Sequence, residues 1–168
     1  MLDPILIDPA AFARERQSLE GEVALADLHE RVAAHEYLAS NEAKVAFRLQ
    51  GGVDRWQRPY LDLAVSADLP LVCQRCLQPM SVALDEQAHI VLFADEAALD
   101  EAMLADDELE GMLLSPELDV AELLEDQLLM AVPYSPRHED CSNQALADIN
   151  QNNKPNPFAV LAGLKNSR

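Results

Sequence analysis

Hydrophobic and polar residues alternate along three stretches of the chain, and this period of two predicts β-strands. The stretches cover residues 43–49, 60–72 and 89–93. Short connections between them, without regular alternation of strand and helix, favour an antiparallel sheet in an α+β domain. The same pattern is compatible with an open or a barrel-like sheet.

A period near 3.6 residues marks the strongest helix, at residues 119–130. Its apolar stripe comprises Val120, Leu123, Leu124, Gln127 and Leu128. The carboxylates expected to point to solvent are Glu122, Glu125 and Asp126. This C-terminal amphipathic helix is predicted to cover one face of the sheet. An acidic, weakly periodic segment at 94–112 precedes it and indicates a partly helical, exposed insertion.

The composition divides the chain into a body and a tail. Residues 1–142 have the apolar content of a single α+β domain, whereas 143–168 begin with a polar, amide-rich linker. The linker leads into a docking tail formed by Lys154, Pro155, Asn156, Pro157 and Phe158. No apolar stretch is long enough to span a bilayer, and no signal peptide is recognisable at the N-terminus. Three cysteines make no disulfide framework, so we expect a cytoplasmic protein.

The chain is strongly acidic, with a net charge of −18. No Lys or Arg occurs between Arg75 and Arg137, whereas fifteen of the thirty carboxylates lie there. Such a field repels phosphate backbones and attracts cationic partners, although solubility alone also explains it.

All three cysteines lie in two places. Cys73 and Cys76 form a Cys-x-x-Cys turn at the tip of a predicted hairpin, and His138 and Cys141 follow far downstream. Together they make a Cys₃His set, which is typical of structural zinc. A redox pair and a metal-free thiol cluster are the alternatives; a thioredoxin-like motif would open a helix, which this one does not.

A second cluster suggests nucleic-acid binding. Arg55, Trp56, Arg58 and Arg75 flank or form the Gly51–Arg58 loop and the cysteine turn. If both face the same way, they make a basic and aromatic patch on one end of an acidic body, where arginine holds phosphates and tryptophan stacks on bases. Loop solubility with a buried tryptophan is the alternative. The sequence has no phosphate-binding glycine loop, nucleophile elbow or EF-hand loop, so we predict a protein that is not an enzyme.

The order of these features resembles the YceD family of bacterial proteins, the large ribosomal RNA subunit accumulation proteins. The resemblance rests on the cysteine turn after a hydrophobic strand, the acidic stretch, the helix that ends before Pro133, the His138/Cys141 pair and the tail at 154–161. It implies a cytoplasmic factor needed for the synthesis, processing or stability of large-subunit ribosomal RNA.

Two kinds of partner then compete. The basic and aromatic end would contact ribosomal RNA or a pre-large-subunit particle. Alternatively, the acidic surface would hold a basic ribosomal protein or assembly factor, as a chaperone does.

Overall fold

The computed structural model describes residues 5–139 and Cys141. The elements are β1 (Leu6–Ile7), α1 (Pro9–Arg14), β2 (Ser18–Ala24), a 3₁₀ turn (Leu25–Asp27), α2 (Glu30–Ala33), β3 (Lys44–Val53), β4 (Pro59–Val72), β5 (Pro79–Phe93), α3 (Glu96–Ala105), β6 (Glu110–Leu113), β7 (Leu118–Asp119) and α4 (Val120–Ala131).

The main sheet has the order β2-β3-β4-β5-β6 and is mixed. The first four strands form an antiparallel meander, but β6 pairs in parallel with β5 because α3 carries the chain back to the start of a new strand. The α+β prediction is confirmed, and the predicted antiparallel pairing holds for every strand pair of this sheet except β5–β6, which is parallel. The barrel-like option is wrong, since β2 and β6 are open edges with no pairing between them in the described part of the chain.

The two faces of this sheet differ in what covers them. The inner face carries the odd-numbered residues of β3 and β4 and the even-numbered residues of β5, among them Leu49, Leu63 and Ile90, all buried. Helix α1 approaches it so closely that a Cβ on Gly51 would lie 2.5 Å from the Phe12 carbonyl oxygen. Gly51 is therefore a strand residue in close contact with a helix, whereas the sequence analysis placed it at the start of a Gly51–Arg58 loop.

The outer face carries the even-numbered residues of β3 and β4 and the odd-numbered residues of β5. Helix α3 covers only its β5–β6 end, where Leu99 and the Phe93 ring fill the space beside Gly111. The rest of this face is bare of helices in the described residues.

Helix α4 lies against β4, β5 and α2. Its buried residues are Val120, Ala121, Leu124, Glu125 and Leu128. Asp119 caps it by accepting from the Ala121 N–H at 2.9 Å, and the Ile5 N–H donates to the same carboxylate oxygen at 3.1 Å. The expectation that Glu125 points to solvent is wrong: it is 7% exposed and meets Arg31 from α2.

Candidate functional site

The β4–β5 hairpin places Cys73 and Cys76 at its tip. Cys73 directly follows β4, and the turn closes when the Leu77 N–H donates to the Cys73 carbonyl at 2.9 Å. Leu77 adopts a positive φ of 59°, which lets the chain reverse into β5. The motif thus joins two strands and opens no helix, unlike the thioredoxin-like arrangement.

The segment after α4 returns to this tip. The Gln74 N–H donates to the Pro136 carbonyl at 2.8 Å, and the Arg75 guanidinium donates to the Cys141 carbonyl at 2.9 Å. These two hydrogen bonds, one from the main chain and one from the Arg75 side chain, hold the segment with His138 and Cys141 beside the turn. The ligand atoms of Cys73, Cys76, His138 and Cys141 all lie within 4.8 Å of one another.

The spacing within this cluster suits a tetrahedral ion. The Sγ atoms of Cys73 and Cys141 are 3.6 Å apart, and Cys76 Sγ lies 3.5 Å from His138 Nδ1. Zinc with Zn–S bonds of about 2.3 Å places two sulfur ligands about 3.8 Å apart, whereas a disulfide needs about 2 Å. All three cysteines are free thiols. The donor set therefore fits Zn²⁺.

Hydrogen bonding also prepares the cluster for a cation. Burial alone raises the pKa of Cys73, but hydrogen bonds from the backbone N–H groups of Cys76, His138 and Arg75 outweigh it and lower that pKa to about 5. Burial and hydrogen bonds with Cys73 and Cys76 raise the pKa of Cys141. The lowered pKa of Cys73 favours its thiolate, which is the form that binds a metal ion.

The candidate nucleic-acid residues do not form a single surface. Arg55, Trp56 and Arg58 lie in the turn before β4, whereas Arg75 lies in the turn after it. At about 3.3 Å per residue, a fourteen-residue strand separates the two turns by roughly 45 Å along its length. The condition set for a joint patch, that both turns face the same way, is not met, because the two turns lie at opposite ends of β4. Arg75 belongs to the cysteine cluster.

The β3–β4 turn is organised by Asp54. Its carboxylate accepts from the Trp56 N–H at 2.8 Å and from the Arg58 N–H at 2.9 Å, and it pairs with the Arg58 guanidinium at 2.8 Å. Burial raises the pKa of Asp54, but these hydrogen bonds and the charge of Arg58 lower it on balance. The Trp56 side chain is exposed, with the guanidinium carbons of Arg55 and Arg58 at 3.8 and 4.7 Å from its ring centroid.

Two further arginines, which are not part of the predicted patch, lie at this end of the sheet. The Gly51 N–H donates to the Gln17 carbonyl at 2.9 Å, so the corner between α1 and β2 lies beside the end of β3. This corner carries Arg14 and Arg16, both exposed. Antiparallel pairing of residues 18–24 with 44–50 is the signal that would have placed them there.

The tail residues Lys154, Pro155, Asn156, Pro157 and Phe158, and the predicted boundary near residue 142, lie outside the described residues. Among the described residues, none of the helices has the length and apolarity that crossing a bilayer requires.

Comparison with known proteins identifies the family. The profile of the family described as "Large ribosomal RNA subunit accumulation protein YceD" matches residues 61–165. A curated relative of that name from Haemophilus influenzae is 30% identical over 170 residues, which cover 96% of this chain and 95% of the relative. No solved structure matches the chain. The resemblance drawn from the motifs is confirmed: this chain belongs to the YceD family.

Proposed function

We propose that this chain supports the accumulation of large-subunit ribosomal RNA by binding that RNA, or a precursor particle that contains it, without catalysing a reaction. The observation that carries the proposal is the relationship to a large ribosomal RNA subunit accumulation protein along 96% of this chain and 95% of the relative. A match of that extent favours a shared role for the whole protein over the borrowing of one module.

The end of the sheet with the β3–β4 turn is the surface we assign to RNA. Arg14, Arg16 and Arg55 are exposed there, next to the exposed ring of Trp56. Arginine neutralises phosphates, and a tryptophan stacked on a base contributes about 1–3 kcal/mol. This end lies across the sheet from the cysteine cluster, so an approach end-on keeps most of the acidic body away from the RNA.

Binding to a fragment of large-subunit ribosomal RNA tests this surface. Trp56→Ala removes the stacking ring and should weaken binding roughly fivefold or more, since about 1.4 kcal/mol is a factor of ten. Arg55→Glu should weaken it as well and make it less dependent on salt. Arg58 is a poor choice for charge reversal, because it holds Asp54 and with it the turn.

Lys44→Glu is the matched control for Arg55→Glu. It makes the same change in charge at the far end of β3, on an exposed side chain. Equal loss of RNA binding in both variants would mean that only net charge matters. If both Trp56→Ala and Arg55→Glu bound RNA as tightly as the wild type, the assignment of RNA binding to this surface would be wrong.

We also propose that Cys73, Cys76, His138 and Cys141 hold a structural Zn²⁺ ion. Such an ion would cross-link the hairpin tip to the segment after α4, with no catalytic part, since all four positions of a tetrahedral ion are filled by protein. The proposal is supported by the mutual distances of the ligand atoms.

Metal content of the purified protein tests the zinc site. We expect about one Zn²⁺ per chain, lost in His138→Asn and retained in His89→Asn, which changes a histidine outside the cluster. Equal zinc in both variants, or none in the wild type purified without chelator, would leave a metal-free thiol cluster.

A further inference from the structure

The outer face of the sheet is an open trough. Its floor is made of small side chains from β3 and β4, namely Ala46, Ala64 and Ser66. A groove of about 570 Å³ is lined by all three of these residues, and it adjoins a groove of about 420 Å³ that reaches Ala64 and one of about 310 Å³ that reaches Ala46 and Ser66. A long, shallow depression with a small-residue floor lets another main chain approach the sheet closely.

The two cations on this face, Lys44 and Arg48, both form ion pairs with glutamates of β2. Lys44 Nζ lies 2.6 Å from Glu22, and an Arg48 guanidinium nitrogen lies 3.3 Å from Glu20. Both cations therefore turn toward β2, at one rim of the trough, and each neutralises a glutamate there.

The opposite half of the trough is left acidic. Asp68 on β4 and Asp85 on β5 are exposed, and neither has an ion-pair partner among the described residues. Ser66 pairs with Asp85 across the strands, and Asp68 is the next outward residue after Ser66, so the two carboxylates flank one stretch of floor. A third carboxylate, Asp62, lies further along and contacts His89 Nδ1 at 2.6 Å.

We propose that this trough binds an extended, lysine- and arginine-rich polypeptide segment of a partner protein. An extended segment fits along the strands, and its cations would meet Asp68 and Asp85, which lie on neighbouring strands and have no ion-pair partner among the described residues. Phosphate backbones are disfavoured here by the same carboxylates. The proposal does not rest on the RNA surface, which lies at the end of the sheet and uses other residues.

A short fluorescein-labelled peptide of alternating lysine and glycine is the probe, and fluorescence anisotropy of the full chain at low salt is the measurement. The double variant Asp68→Asn with Asp85→Asn should bind it about threefold to tenfold more weakly, from two surface charge pairs. Ala64→Gln fills the floor without changing charge and should weaken binding too. Circular dichroism confirms that each variant is folded.

Asp107→Asn with Glu108→Gln is the matched control, because it removes the same charge from exposed residues of the turn between α3 and β6. It should change peptide affinity by less than about twofold. Equal weakening by both double variants, or no peptide binding by the wild type, would overturn the proposal. If the double variant Asp68→Asn with Asp85→Asn lost RNA binding, the proposal would be overturned in favour of a nucleic-acid surface. Absence of RNA binding by the wild-type protein would count against the proposed function and not against this peptide site.

Discussion

The buried carboxylate of Glu125 joins α4 to α2, and its removal should destabilise the whole domain. One oxygen accepts from the His29 N–H at 2.7 Å, and the other accepts from Arg31 Nε at 3.1 Å and from a terminal guanidinium nitrogen at 3.0 Å. The same guanidinium reaches Asp126 at 2.6 Å. Glu125→Ala would leave the His29 N–H and most of the Arg31 guanidinium without this acceptor.

The expected loss in the free energy of unfolding follows from how deeply Glu125 and Arg31 are each buried. Removing one partner of a fully buried ion pair costs about 3–5 kcal/mol, because the other charge is stranded. Glu125 has a side chain only 9% exposed, but that of Arg31 is 36% exposed, so water and Asp126 recover part of the loss. We expect Glu125→Ala to lower the free energy of unfolding by roughly 2–3 kcal/mol.

Thermal and urea unfolding of the purified variant measure this cost. At about 2–4 °C per kcal/mol for a chain of this size, the midpoint should fall by roughly 4–12 °C. Glu122→Ala is the control, since it removes an exposed carboxylate from the same helix and should cost less than about 1 kcal/mol. Equal midpoints for Glu125→Ala and Glu122→Ala would refute the reasoning.

Three further changes have definite expected outcomes. Leu124→Ala should cost about 2–5 kcal/mol in urea unfolding, because Leu124 is buried against the sheet; a loss under 1 kcal/mol would contradict the packing of α4. In chelator-treated protein, thiolate absorbance should show Cys73 ionising near pH 5 and Cys141 well above it. Because the pKa of Cys73 is lower in the folded protein, the Cys73 thiolate stabilises the metal-free fold increasingly as the pH rises above 5, and this contribution is lost as the pH falls through 5. Titration of every thiol near pH 9 would disprove this. Leu77→Gly should raise stability by up to about 1 kcal/mol, because an exposed leucine there has a positive φ; a lower midpoint would show that the turn carries no strain.

Local patterns predicted much of the fold. Alternation of Val45, Phe47 and Leu49 marked a strand whose apolar residues are buried. The spacing of the three cysteines and His138 identified a set of side chains that the fold brings together, because soft ligands are rare in this chain and so stand out.

These local patterns do not predict contacts between residues that are far apart in the sequence. Glu125 was expected in solvent because a carboxylate on a helix is usually exposed, and its partner Arg31 lies 94 positions away in the sequence. The parallel pairing of β6 depends on where α3 returns the chain, which periodicity does not encode. The separation of Arg75 from Arg55 follows from the length of β4, which the alternating pattern at residues 60–72 already indicates.

The ratio of large-subunit to small-subunit ribosomal RNA in cells that lack this chain tests the central claim most directly. The claim predicts a lowered ratio, restored by wild-type protein and by Lys44→Glu but not by Trp56→Ala produced at the same level. An unchanged ratio on loss of the chain would contradict a role in accumulation of that RNA. Full restoration by Trp56→Ala would contradict the assignment of the β3–β4 turn to RNA.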